Sequence, residues 1–186
     1  MAKSKSVAST HIALPPDTRK KMADLLNGLL ASTLDLHSHA KQAHWNIRGP
    51  HFLTLHELFD KLAEQTVEHG DEIAERAGQL GFAVSGTLRQ GASASKLNEY
   101  DLQIASGEDH VRRLSQSLGE YEKLLLDGIE DAEEAEDPVT QDILTRICGE
   151  IDKSMWMIES HIVVVSPEAE TLTNNNKKAA ASQSAA

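Results

Sequence analysis

Six of the nine histidines in this 186-residue chain fall between His37 and His69, interleaved with carboxylates. Imidazole mixed with carboxylate is ligand chemistry for divalent iron, manganese or zinc. Clustering alone says little, so the informative step is to place the stretch on a helical wheel at about 100° per residue. Counted from His56, the residues Leu55, Leu58, Phe59, Leu62, Ala63, Thr66, Ile73, Ala77 and Leu80 gather on one stripe. His56, Glu57, Asp60, Glu64, Glu68, Asp71 and Glu75 gather on the opposite one. A charged face opposite an apolar stripe is ordinarily just solvated. Two spacings argue for more. His56 and Asp60 are i,i+4 neighbours, as are Asp71 and Glu75, so each pair converges on one point. His44 also lies as far before Pro50 as His56 lies after it, so an antiparallel helix hairpin sets the two imidazoles at one depth.

The result is a three-ligand cluster, His44, His56 and Asp60, and a separate carboxylate pair, Asp71 and Glu75. Asp60 and Asp71 are eleven residues apart, about 16 Å along a helix, whereas a ligand atom must approach its metal to about 2 Å. One chain cannot close the set on one ion. If two copies pair antiparallel through this face, His56 and Asp60 of one meet Asp71 and Glu75 of the other, twice, giving two equivalent sites roughly 20 Å apart. Such ligands suit iron, with manganese and zinc as alternatives. No histidine has Glu three residues before it, so the Glu-x-x-His pattern of in-bundle di-iron sites is absent.

The elements that position these residues are helical, because alternating β-branched runs are missing and Pro and Gly fall at punctuation points. A first helix is expected from an N-cap at Asp17 to Asn46, ending before Gly49-Pro50. A second runs from Phe52 to Leu80, with Gly81 just past its end. A Gly/Ser-rich crossover, 84–106, has room for one short helix near Lys96–Asp101. A third long helix opens at Ser106, with Asp109 completing a capping-box variant. A fourth opens at the N-cap Asp137 and the N1 proline Pro138, and is expected to reach Val165. Short, long and short connections define an all-α, ferritin-like four-helix bundle. The domain is expected over 12–165, with flexible tails at 1–11 and 166–186 that lack an apolar period.

Composition removes several classes. Asp plus Glu outnumber Lys plus Arg by 29 to 18, a net charge of −11, which excludes a generally basic nucleic-acid binder. The single cysteine, Cys148, cannot form an intrachain disulfide. The N-terminal stretch lacks a secretory h-region, and no apolar run approaches the roughly 20 residues of a membrane helix. A soluble protein of a reducing, cytoplasmic compartment is expected.

The residues also carry a resemblance. The stretch from Lys41-Gln-Ala-His-Trp-Asn-Ile-Arg-Gly-Pro-His-Phe to Leu55-His-Glu-Leu-Phe-Asp60 resembles the signature of the Dps family, the DNA-binding proteins from starved cells, or miniferritins. Asp71-Glu-Ile-Ala-Glu-Arg-Ala77, Gln79-Leu-Gly81, Asp152-Lys153, Trp156 and Ile158–Ile162 extend it, so that it covers about 12–165. The resemblance implies a hollow dodecamer with ferroxidase centres of two irons at two-fold interfaces. In these, His44, His56 and Asp60 of one subunit and Asp71 and Glu75 of its neighbour oxidise Fe(II). Hydrogen peroxide is the preferred oxidant over dioxygen, and ferric mineral is stored inside. Such a protein guards against oxidative stress.

Trp45, beside His44, is a candidate electron donor, with an interface aromatic as the equal alternative. His37, His39, His51 and His69 are read as surface or hydrogen-bonded groups outside the metal's immediate ligands. The acidic run Glu130, Asp131, Glu133, Glu134, Glu136 and Asp137, with Asp142 beyond it, offers a negative funnel for Fe(II), and by the resemblance Asp142 is the candidate to line a three-fold pore, with a solvated acidic helix end as the equal alternative. Lys3 and Lys5, with Lys177 and Lys178, leave DNA as a candidate partner through multivalent tails. The opposing consideration is the charge of −11 on every subunit. A nucleoid-compacting protein with secondary iron chemistry is the alternative function.

Overall fold

Prolines open two of the helices, where a missing N–H costs nothing and a fixed φ favours the first turn. In the computed structural model, which describes residues 6–162, the elements are α1 (Pro16–Asn46), α2 (Phe52–Gln79), α3 (Leu88–Ala94), α4 (Gly107–Glu134) and α5 (Pro138–Glu159). α1 packs along α2 and α4 along α5, the two hairpins close through α1 against α4 and α2 against α5, and α3 lies on α1. This is the expected four-helix bundle with one long crossover. Among the described residues, no helix is long and apolar enough to cross a membrane.

The long helices bury the stripes that their spacing predicts. Leu55, Phe59, Leu62, Ala63, Ile73 and Ala77 of α2 meet Leu26, Leu30, Leu36 and Ala40 of α1 and Leu114, Leu118, Leu125, Leu144 and Ile151 of the other hairpin in one core. Tyr121 is fully buried within it, its hydroxyl 2.7 Å from that of Thr33.

Caps set the boundaries. Ser106 accepts from the Asp109 N–H at 3.1 Å, and Asp137 accepts from the Thr140 N–H at 3.1 Å, both as expected. Three boundaries need correction. Pro15, not Asp17, precedes α1, and Asp17 lies inside the first turn, where its charge suits the helix dipole. The crossover helix is at Leu88–Ala94 rather than near Lys96–Asp101, because Thr87 and Gln90 form a capping box there. α5 ends at Glu159, six residues before Val165, which lies outside the described residues.

The turn between α1 and α2 is fixed from both sides. Gly49 has φ 116°, a conformation that only glycine adopts without strain. The Arg48 N–H donates to Ala105 at 3.1 Å, and the Arg48 carbonyl accepts from Gly107 at 3.1 Å, tying the turn to the start of α4. At the far end of α2, Gly81 has φ 89°, and a Cβ there would lie 2.7 Å from the Ala8 carbonyl oxygen. The Val7 N–H donates to Gly81 at 3.0 Å, so residues before 12 already contact the bundle.

Two polar groups in the interior carry measurable stability. Arg76 of α2 donates to Asp137 at 2.8 Å and to Thr140 at 3.0 Å, and both members of the ion pair are almost fully buried. Arg76→Met leaves Asp137 charged and uncompensated, so stability should fall by about 3–5 kcal/mol, read as a lower urea midpoint at fixed protein concentration. The second group is His69, whose Nε2 donates to Glu150 at 2.8 Å while its buried Nδ1 has no hydrogen-bond partner among the described residues. Burial lowers its pKa below 6.5, as it does those of His39 and His110. The fold therefore holds these rings neutral. Their contribution is complete above about pH 6.5 and is lost as pH falls from there through the folded-state pKa. Unfolding free energy measured from pH 7.5 down to 5 should fall, with a shallower slope in His69→Gln.

Candidate metal centre

Helix pairing brings His44 of α1 and His56 of α2 face to face, their rings stacked with centroids 3.7 Å apart. The His44 Nδ1 donates to the His56 carbonyl at 2.8 Å, and the His56 Nδ1 donates to the His44 carbonyl at 2.9 Å. A carbonyl can only accept, so both Nδ1 atoms carry a proton, and the neutral form of each ring has its lone pair on Nε2. Metal-binding histidines are commonly oriented in this way, by a hydrogen bond from the nitrogen that does not bind. Phe52 stacks on His56 at 5.1 Å and holds its other face.

Asp60 stands one turn beyond His56, its Oδ1 3.9 Å from the His44 Nδ1. That nitrogen is the one turned to the backbone, so the two imidazoles meet as expected while the ligand atoms of His44, His56 and Asp60 do not all lie within 4.8 Å of one another; all three residues are partly exposed. Asp71 and Glu75 are exposed on the same helix, and neither has a hydrogen bond or ion pair among the described residues. Because α2 is continuous from Phe52 to Gln79, the Asp60 and Asp71 positions are held about 16 Å apart along it. Within one subunit the structure brings His44 and His56 together, sets Asp60 one turn beyond them on Lys41, and does not bring Asp71 and Glu75 to them.

The remaining histidines take other parts. His37 donates through Nδ1 to the Ala63 carbonyl at 3.0 Å. His39 is buried against Ser117 at 3.0 Å, His69 is tied to Glu150, and His51 is exposed at the hairpin turn. Trp45 is 62% exposed beside the cluster, with the Lys41 ammonium 5.8 Å from its ring centre.

The acidic run near the α4–α5 turn is smaller than its sequence suggests. Asp137 is not part of a solvated funnel but is buried on Arg76, and Asp131 is paired with Lys21 at 2.8 Å. Glu130, Glu133, Glu134, Glu136 and Asp142 remain exposed.

Comparison with known proteins agrees with this architecture. Residues 23–166 match the model of the ferritin-like domain. The DNA protection during starvation protein of Agrobacterium fabrum is 41% identical over 149 residues, 80% of this chain and 92% of that protein. The protein of the same name from Mycolicibacterium smegmatis is 31% identical over 158 residues, 82% of this chain and 85% of that one. Among solved structures, a tetragonal form of Mycobacterium smegmatis Dps superposes with a TM-score of 0.79 at 30% identity, covering 83% of this chain and 94% of that one. Dps from Microbacterium arborescens in the high iron form gives 0.76 at 25% identity, covering 83% and 99%.

One contact was not foreseen from the sequence. Lys41, one turn before His44, donates to Asp60 Oδ1 at 2.6 Å. Its ammonium, ahead of the smaller influence of His44 and His56, holds the Asp60 carboxyl below its ordinary 3.8. The lysine engages an oxygen that would also serve a cation. In Lys41→Met the Asp60 pKa should rise toward the ordinary value, measured by carbon-detected NMR titration of the metal-free protein.

Proposed function

Since the chain belongs to the Dps family of ferritin-like proteins, we propose that it is a ferroxidase and iron store whose oxidation centres form between subunits of a hollow dodecamer. The observation that carries this reading is the division of one rigid helix into two half-sites, each incomplete. In the proposed centre, the Nε2 atoms of His44 and His56 and the Asp60 carboxylate of one subunit face Asp71 and Glu75 of its neighbour. Asp71 and Glu75, without an ion pair among the described residues, support this, because iron held by the neighbour's half-site would give them a cation.

Five donors hold one Fe(II) firmly and leave a second more weakly held, so full loading follows substrate supply. Each of two Fe(II) ions gives up one electron, and hydrogen peroxide, as the favoured oxidant, accepts both as its O–O bond breaks. The oxygens pass into water and the ferric product, and hydrolysis of ferric iron releases protons. Lys41 leaves Asp60 as iron arrives, exchanging one positive charge for another. Trp45, exposed beside His44, is placed as an electron donor to a stray oxidant or as an interface aromatic. Exposed Asp142 and its glutamate neighbours draw Fe(II) toward the shell.

The relatives' name, DNA protection, fits this chain through chemistry. Removing Fe(II) and peroxide together removes the reactants that make hydroxyl radical. Direct DNA binding is the second reading, and it rests on Lys3, Lys5, Lys177 and Lys178, which lie outside the described residues, against a net charge of −11.

Complementation tests the shared site. His56→Ala/Asp60→Ala and Asp71→Ala/Glu75→Ala assemblies should each oxidise Fe(II) slowly. Co-assembled in equal amounts, half of the interfaces pair one subunit of each kind, and each such interface regains one intact centre of two. About a quarter of wild-type activity should return, followed by stopped-flow absorbance of ferric product. No recovery in co-assembled shells would exclude the shared centre.

A further inference from the structure

The only cysteine of the chain takes no part in the chemistry above. Cys148 lies on α5, 7% exposed, and its thiol makes no hydrogen bond among the described residues. Asp152 is its i,i+4 neighbour on the same helix, and Glu122 reaches it from α4. The sulfur and one oxygen of each carboxylate all lie within 4.8 Å of one another.

This is not an ordinary acidic surface. The sulfur is buried and directed into the space between two carboxylates, and neither carboxylate has an ion pair with any basic residue among the described residues. The crowding has a cost in the metal-free protein. Burial, and then the charge and hydrogen bond of Asp152, hold the Glu122 carboxyl above its ordinary range. Burial, and then both carboxylates, push the Cys148 thiol up as well.

We propose that Cys148, Asp152 and Glu122 form a second metal site, complete within one subunit, for a divalent ion of borderline softness, with Zn(II) the best match. A thiolate disfavours magnesium and calcium, and two carboxylates disfavour Cu(I). Ligand atoms about 2.0–2.3 Å from a tetrahedral zinc lie roughly 3.3–3.8 Å from each other, so the trio closes on an ion by side-chain movement of about 1 Å. Asp152 is exposed and Glu122 partly so, which gives the ion a path and leaves a fourth position for water. Binding displaces the thiol proton to solvent. The site shares no residue with the proposed ferroxidase centre.

Cobalt(II) is the probe, titrated anaerobically into reduced, chelator-stripped, full-length protein. We expect a near-ultraviolet thiolate-to-cobalt absorption that saturates at about one ion per subunit and is displaced by Zn(II). The band should vanish in Cys148→Ser. In Glu122→Gln and Asp152→Asn, both more exposed positions with helical circular dichroism as the control for folding, affinity should drop by about tenfold or more. The band should persist in His56→Ala/Asp60→Ala. Absence of the band in folded wild-type protein, unchanged affinity in both carboxylate variants, or loss of the band with the ferroxidase ligands would each overturn the proposal. Iron oxidation is read separately, so a missing cobalt band with oxidation intact rejects this site alone.

Discussion

A straight helix cannot turn its two ends onto one ion, and every other feature of the candidate centre follows from that rigidity. α2 carries two ligand pairs of the same i,i+4 design on a continuous rod. The i,i+4 spacing keeps each pair on one stretch of the face, and the rise of about 1.5 Å per residue separates the two pairs. A chain could evade the constraint by breaking the helix, but Phe59, Leu62, Ala63 and Ile73 are locked into the core along the intervening length. Burial of the apolar stripe therefore enforces the separation of the polar one. Chemistry that needs all five donors becomes a property of the assembly, and an isolated subunit offers only half-sites.

The hairpin supplies the accuracy that the rod does not. His44 and His56 are twelve residues apart across a turn, and small slippage of one helix along the other would break both imidazole-to-carbonyl bonds. Slippage is opposed at the turn by the positive φ of Gly49 and by the backbone bonds of Arg48 to the start of α4. The start of α4 is fixed in turn by the Ser106 cap. A connection to the start of α4 thus helps fix how the two imidazoles are oriented. Charge is disposed with the same economy. Asp137 is neutralised by Arg76 in the interior and Asp131 by Lys21 at the surface, while Asp71 and Glu75 have no partner within the described chain.

The wheel of α2 and the hairpin depth of its histidines were legible because both depend on local periodicity and on symmetric spacing about one turn. The caps at Ser106 and Asp137 were legible for the same reason, being signals within four residues. The Thr87/Gln90 capping box carries an equally local signal, whereas 96–101, where the short helix is expected, has none. Contacts between distant residues were not legible. Asp137 reads as one more acid in a run until Arg76, 61 residues away, is folded onto it. Lys41 reads as a surface lysine until the hairpin sets it on Asp60. Glu122, Cys148 and Asp152 become neighbours only through the register of α4 on α5.

That register also bears on how a thiol would persist beside the proposed peroxide chemistry. The reactive form of cysteine is the thiolate, and its abundance falls as the pKa rises. Burial and two carboxylates push Cys148 toward the protonated, unreactive form, so the same crowding that would favour a divalent ion protects the sulfur until one arrives. An ion reverses the balance by turning three mutually repelling groups into ligands. In the two proposals, the His44, His56 and Asp60 half-site of the α1–α2 hairpin and the thiol-bearing trio between α4 and α5 would divide metals by softness. Hard carboxylates with imidazole suit iron that must reach the ferric state, and sulfur suits an ion that does not change its charge.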